Sequence, residues 1–295
     1  MITILKRWSL VTLVVLIIAG SVLLLHLSND YNDYSRYNPG WNGTSRFFER
    51  LGDDDVILLG NADQLSGYNN TTLLIIAPSG NYSVTETGYY RDFLGRGNNV
   101  LVLDDFGSAN SLLDQLRSGV HVRNIPLMSA DRAYDNPVFV RAYPTGKSPV
   151  IQNISALTLD RPSAVDGGSP FLSSSLLSWE DKNGNQKADP DETIGQFTVG
   201  TTAQIGAGEI FVISDPGILI NAMVDSDGAG DRDHLLSNII LQKGTVIIDQ
   251  THSMTGITAT PSRIIHQIQT SLVAQIGLLA FILMIFVIGF RKQLW

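Results

Sequence analysis

The chain has 295 residues, with 20 Lys and Arg against 28 Asp and Glu, and no cysteine. Without cysteine there is no disulfide framework and no thiol chemistry, so stability must come from a buried core. A formal charge of −8 argues against nucleic acid as a partner, because an acidic surface repels phosphate backbones; it suits solubility in salt, cations or basic partners.

The first element in the chain is an apolar segment, Trp8 to Leu27, with the ~20 residues a helix needs to cross a bilayer. Leu272 to Phe290 is a second such segment. Lys6 and Arg7 precede the first, and Arg291 and Lys292 follow the second, so the positive-inside rule predicts that both termini are cytoplasmic. The predicted organisation is a cytoplasmic stretch 1–7, a membrane helix 8–27, an extracytoplasmic domain 28–270, a membrane helix 271–290 and a cytoplasmic tail 291–295. Every acidic residue falls in the outer domain, which carries a net charge of −12 once the four basic flanks are set aside. The first apolar run is longer than a signal-peptide core, and the bulky Leu25-His26-Leu27-Ser28 that ends it offers no cleavage site, which predicts an uncleaved anchor. Sequons at Asn42, Asn69, Asn70, Asn81 and Asn153 mark loops and admit glycosylation.

Residues 28–43 (SNDYNDYSRYNPGWNG) are polar and aromatic without an apolar period, which predicts a linker and then a turn at Asn38-Pro39-Gly40. Thr44 to Leu51 has helical spacing at Phe47, Phe48 and Leu51. Val56 to Leu59 and Leu73 to Ala77 are short apolar runs bounded by polar turns, as expected of buried strands. A helix over Val84 to Leu94, a strand over Val100 to Leu103 and a helix over Ser108 to Leu116 continue the alternation, which predicts a parallel sheet with helices on its faces. Residues 124–200 are richer in Pro, Ser and Gly, with alternating runs at Val138 to Ala142, Ile151 to Leu159 and Ser173 to Trp179; these predict a β-rich insertion. Alternation resumes with a strand Glu209 to Ser214, helices Ile218 to Met223 and His234 to Leu241, and a strand Val246 to Asp249.

The sharpest local pattern runs from Asp181 to Glu192 (DKNGNQKADPDE). Asp181, Asn183, Asn185, Asp189 and Glu192 fall at positions 1, 3, 5, 9 and 12, with the Lys187 carbonyl at 7: the ligand spacing of a calcium loop of EF-hand type. Gln186 stands where such loops carry glycine. A polar hairpin loop turning at Asn183-Gly184 is the other reading. Asp105 with Asn110, and Asp215 with Asn221, follow two predicted strands, where open α/β sheets bind ligands; helix capping and tight turning explain the same residues. Asp249 and His252, after the last strand, read either as a general base with its orienting partner or as a turn. No nucleophile elbow or zinc-protease motif occurs, and the five histidines are scattered.

Six stretches, taken in order, resemble the domain-of-unknown-function 4350 family. They are Asn38 to Leu51 (NPGWNGTSRFFERL), Leu73 to Pro78, the helix before Gly95-Arg96-Gly97, Val100 to Leu116, Gly208 to Asn221 (GEIFVISDPGILIN) and Val246 to His252 (VIIDQTH). The resemblance implies an α/β fold, a mostly parallel sheet flanked by helices like that of class I glutamine amidotransferases or flavodoxin. It also implies a membrane protein associated with MoxR-type ATPases and von Willebrand-type domain proteins. Those amidotransferases use a Cys nucleophile, so the resemblance implies the fold without the activity. The expectation is a non-catalytic, membrane-anchored binding or scaffold domain outside the cell membrane. The rivals are an extracytoplasmic hydrolase on glycans or peptides using Asp249 and His252 or Asp105, and the binding component of a transporter.

Overall fold

Short apolar runs with no polar interruption can be satisfied only where both faces of a strand are covered, and the centre of this domain is built from them. The computed structural model describes residues 30–51, 56–131, 136–224, 229–240 and 242–256, with the single positions 20, 273, 276 and 277. Apart from those single positions, the predicted membrane segments lie outside the described residues; among the described residues no helix is long and apolar enough to cross a membrane. The chain divides into a unit of residues 33–256 and a second unit of residues 1–32 with 257–295. The first unit is described below.

In chain order its elements are α1 (Ser45–Leu51), β1 (Val56–Leu59), β2 (Thr71–Ile76), α2 (Val84–Gly95), β3 (Asn99–Leu103), α3 (Asn110–Gln115), β4 (His121–Ser129), β5 (Phe139–Pro144), β6 (Leu157–Asp160) and β7 (Ser163–Asp166). Then come β8 (Ser169–Ser174), β9 (Ser178–Glu180), β10 (Ile194–Gly195), β11 (Thr198–Ile205), β12 (Gly208–Ile213), α4 (Asn221–Val224), α5 (Ala229–Ile240) and β13 (Thr245–Asp249). One sheet has the order β1-β13-β2-β3-β12-β11-β8-β5-β6, and a second the order β10-β9-β4-β7. The first five strands of the large sheet are parallel to one another. The remaining four join it antiparallel.

The period of two along each parallel strand divides the core. Leu74, Ile76, Leu101, Leu103, Phe211 and Ile213 face one side, where Phe47 and Phe48 of α1 and Leu235 and Ile239 of α5 cover them. Leu73, Ile75, Val100, Val102, Ile210 and Val212 face the other, against Tyr90, Phe93 and Leu94 of α2 and Leu112 and Leu113 of α3. Helix α2 starts at a capping box: Ser83 Oγ accepts the Glu86 N–H, and a Glu86 carboxylate oxygen accepts the Ser83 N–H. Its end lies so close to β12 that a Cβ on Gly208 would stand 2.0 Å from the Asn98 carbonyl oxygen, so only glycine opens that strand.

The expected mostly parallel, helix-flanked sheet is corrected by this topology; the membrane helix expected at each end lies outside the described residues. The sheet is mixed, with four of its eight neighbouring pairings antiparallel, and a second four-stranded sheet stands beside it. The cause is local. Between β11 and β12 only Gly206 and Ala207 remain, and Gly206 takes φ +63°, which makes a two-residue hairpin rather than a crossover. That hairpin reverses the strand direction at β12. The segment from β4 to β11 then supplies β5, β6, β8 and β11 to the large sheet and β4, β7, β9 and β10 to the small one.

Candidate functional site

The carboxyl ends of β3 and β12 lie side by side and release three acids, in Asp104-Asp105 and Ser214-Asp215. Asp104 is buried, and its two carboxylate oxygens accept the Phe106 and Ala109 N–H groups at 3.1 and 2.7 Å. The helix expected from Ser108 starts at Asn110, and Asp104 holds the N–H of Ala109 just before it. Asp215 is fully buried and accepts the Asp160 N–H at 2.7 Å and the Gly217 N–H at 2.6 Å, which ties the end of β6 to the turn after β12.

Asp105 differs from both. It is 7 % exposed, its carbonyl oxygen accepts the Ser163 hydroxyl, and among the described residues no other residue donates a hydrogen bond to its carboxylate. Asp105 lines a cavity of about 280 Å³. Five stretches of chain wall the cavity: Asp33 to Asn42, Asp105-Phe106, the β4 residues Asn124 and Pro126, Asp160 to Ser163, and Gly217 to Ile220. Burial, with Asp104 and Asp160 nearby, pushes Asp105 up from 3.8 to about 7. Burial also raises Asp160, which Arg161 partly opposes across 3.7 Å, and it holds Asp215 well above the carboxylate range. The Tyr34 phenol is pushed up by burial and then by Asp105, Asp215, Asp160 and Asp33. Among the described residues, three carboxylates (Asp33, Asp105 and Asp160) and one guanidinium (Arg161) thus line the cavity, with Asp215 buried nearby.

Asn110 and Asn221, the amides predicted beside these acids, hold backbone. Asn110 pairs with Val122 of β4, accepting its N–H at 2.9 Å and donating to its carbonyl at 2.8 Å. Asn221 is buried; its side chain accepts the Arg46 N–H and donates to the Asn38 and Gly40 carbonyls. Tyr34, Trp41, Asp160 and Arg161 were not singled out from the sequence. An isolated Trp in the polar turn Asn38 to Gly43, and an acid ending the alternating run Leu157 to Asp160, were the signals available.

At the end of β13, Asp249 is fully buried, accepts the Tyr90 hydroxyl at 3.2 Å and the Thr251 N–H at 2.8 Å, and is raised mainly by burial. The His252 ring stacks on Tyr82 at 3.9 Å. Its Nδ1 lies 3.3 Å from the Ser79 carbonyl and its Nε2 3.5 Å from Glu86. Asp249 and His252 share no hydrogen bond with each other.

The Asp181 to Glu192 loop closes on itself. Asp181 accepts the Asn185 and Gln186 N–H groups, and Glu192 accepts those of Lys182 and Asp189. The amides of Asn183 and Asn185 both donate to Asp189 at 2.7 Å. Gln186, in the sixth position, takes φ +59°, the left-handed backbone that glycine ordinarily supplies there. Among the described residues no three His, Asp or Glu side chains are placed to hold a metal ion together, so a cation in this loop would depend on the Asn oxygens and the Lys187 carbonyl as well.

Residues 36–239 match the family model described as a domain of unknown function, DUF4350. No curated protein matches this chain. Among solved structures, the mmIFT52 N-terminal domain is similar at 14 % identity and a TM-score of 0.48, over 66 % of this chain and 86 % of that one. A β-galactosidase from Bacillus circulans sp. alkalophilus follows at 9 % identity and a TM-score of 0.35, over 59 % of this chain and 23 % of that one. Another, from the Antarctic haloarchaeon Halorubrum lacusprofundi, has 14 % identity and a TM-score of 0.34, over 60 % of this chain and 23 % of its own. The chain thus spans about a quarter of those two enzymes. With the family model covering most of its length, from Arg36 in the linker to Ile239 in α5, the chain belongs to the DUF4350 family.

Proposed function

We propose that residues 33–256 form a non-catalytic binding domain, held at the outer face of a membrane by the apolar terminal segments, whose ligand enters the cavity at the ends of β3 and β12. The observation that carries this reading is Asp105: a buried carboxylate with no donor from another residue, lining a cavity of about 280 Å³. Burying such a group costs stability, and sites that tolerate the cost are enriched for function. The basic flanks and apolar runs at both ends support the location. The family resemblance points to MoxR-type ATPases and von Willebrand-type domain proteins as partners in a membrane complex. Affinity purification of the tagged chain from native membranes is expected to co-recover stoichiometric partners, and fewer of them with Trp41→Ala. Consistent recovery of the chain alone would sink the scaffold reading. Of the residues named for the hydrolase alternative, Asp249 and His252 engage different partners and neither lines the cavity, while Asp105 lines it without either of them beside it.

We also propose that the Asp181 to Glu192 loop takes calcium, supported by the ligand spacing of its oxygen-bearing residues and by the left-handed Gln186 in the sixth position. Calcium at a hundredfold excess over its Kd is expected to stabilise the domain by about 2.7 kcal/mol. The check is a melting curve in calcium against one in chelator. Identical curves, or a shift that survives Asp181→Asn, would remove the site.

A further inference from the structure

The charge and shape of the cavity select a ligand class, an inference that rests on the binding role just proposed. Asp33, Asp105 and Asp160 line the cavity, and Asp215 is buried beneath Gly217 at its floor. Asp33 is engaged by the Asn42 amide and Asp160 by Arg161, whose side chain is 59 % exposed. Among the described residues that line the cavity, Asp105 alone offers a carboxylate that no other described residue satisfies, although it is more than nine-tenths buried. Aromatic rings frame the same space: Tyr34 lines it, and Trp41 and Phe106 stand 68 % and 65 % exposed among its lining residues. Large apolar side chains left open beside a buried anion are a poor arrangement for water and a good one for an organic cation, which binds a ring face and a carboxylate together.

We propose that the cavity binds an alkyl guanidinium or ammonium group, with the cation against Asp105 and its aliphatic stem between Trp41 and Phe106. Three features agree with it. The nearby carboxylates outnumber the one guanidinium, so a ligand cation lowers the repulsion that an anion or a second carboxylate would raise. The cavity has room for a side chain of Arg or Lys size but is small for a folded polymer segment. The domain as a whole is acidic, which draws basic partners toward it. The same cation can arrive as a free amine or on a basic side chain of a partner protein.

The test uses the full chain in detergent and follows tryptophan fluorescence and calorimetric heat. The probes are n-butylguanidinium, its uncharged counterpart n-butylurea, a short peptide with one central Arg, and a neutral monosaccharide panel. The expected result is saturable binding of n-butylguanidinium, at least tenfold weaker for Asp105→Asn and for Trp41→Ala, with no binding of n-butylurea. Trp41 is exposed, so its variant reports on the site without disturbing the core. A peptide that binds more than tenfold tighter than n-butylguanidinium assigns the cation to a protein partner; equal affinities assign it to a free amine. If n-butylurea or a sugar binds in an Asp105-dependent way and the cation does not, the cation inference is overturned and the binding domain stands. If none of the probes binds, both fall.

Discussion

Asp105→Asn is expected to raise the melting temperature at pH 8 and to leave it unchanged at about pH 3. The sign follows from linkage. Asp105 is raised from 3.8 to about 7 in the folded state, chiefly by burial, so the native protein binds this proton more tightly than the unfolded chain. Below pH 3.8 both states are protonated and the group contributes no difference. As pH rises from there to 7, the unfolded chain ionises first and stability falls; above 7 the full loss is present. A gap of about three units, at about 1.4 kcal/mol each, bounds the loss near 4 kcal/mol. Sharing of protons with Asp160 and Asp215 lowers the measured figure, so a gain of about 1–3 kcal/mol is expected in the Asn variant, or several degrees for a domain of this size. Asn is nearly isosteric and keeps an oxygen for the backbone N–H, so no cavity is opened. An unchanged melting temperature at pH 8 would mean that Asp105 is stabilised by something other than the protein around it. The predicted outcome, a gain in stability with a loss of ligand, is the pattern of a residue kept for binding.

What could be read from the sequence was what is local. The strands LLII, VLVL and VIID announce themselves because a run buried on both faces needs no polar residue, and the acids that follow them sit at strand ends as expected. Strand order could not be read: β13, last in the chain, lies between β1 and β2, a pairing that joins residues 56–59 and 71–74 to residues 245–249. The mixed character of the sheet turns on Gly206-Ala207, a pair that looks like any short loop until its φ of +63° shows a hairpin. Between Asn124 and Gly200 the expected run Ile151 to Leu159 is strand only from Leu157, because Pro149 opens a 3-10 turn, and Ser173 to Trp179 is broken by the turn at Leu176-Leu177. The cavity was legible only in part. Asp105 has a strand to announce it, whereas Tyr34, Trp41 and Asp160 reach the site from segments far apart in the chain, and nothing in their own neighbourhoods says that they meet. Residue type could not separate Asp105 from Asp215 either. Both follow a buried strand, but two N–H groups reach the Asp215 carboxylate, and among the described residues none but Asp105 itself donates to the Asp105 carboxylate.

Asn221→Ala is expected to destabilise the domain by about 2–4 kcal/mol and to loosen the cavity rim in the same step. Asn221 is 3 % exposed, and its amide joins α4 to the start of α1 and to the turn at Asn38 to Gly40. Its oxygen accepts the Arg46 N–H at 2.9 Å, one of the donors that the first turn of α1 cannot satisfy internally. Its nitrogen donates to the Asn38 carbonyl at 3.0 Å and the Gly40 carbonyl at 2.6 Å. Alanine removes all of these at once and leaves a buried donor and two carbonyls without that partner, which costs more than the net value of the bonds. Asn221→Asp serves as the discriminating variant: it keeps an acceptor for Arg46 but faces the two carbonyls with oxygen, so it should rescue little. The chain from Asn38 to Gly43 is otherwise attached to α4 through backbone bonds from Asn221 to Gly43 and from Ala222 to Trp41. It has little room to adjust, since a Cβ on Gly43 would fall 2.0 Å from the Asn38 carbonyl oxygen. Trp41 rides on this turn, so the variant should show faster proteolysis within residues 38–43 and altered tryptophan emission below its unfolding midpoint. A variant that melts early yet keeps native emission and protection up to the transition would show that Asn221 supports α1 alone and that the rim is held by the backbone.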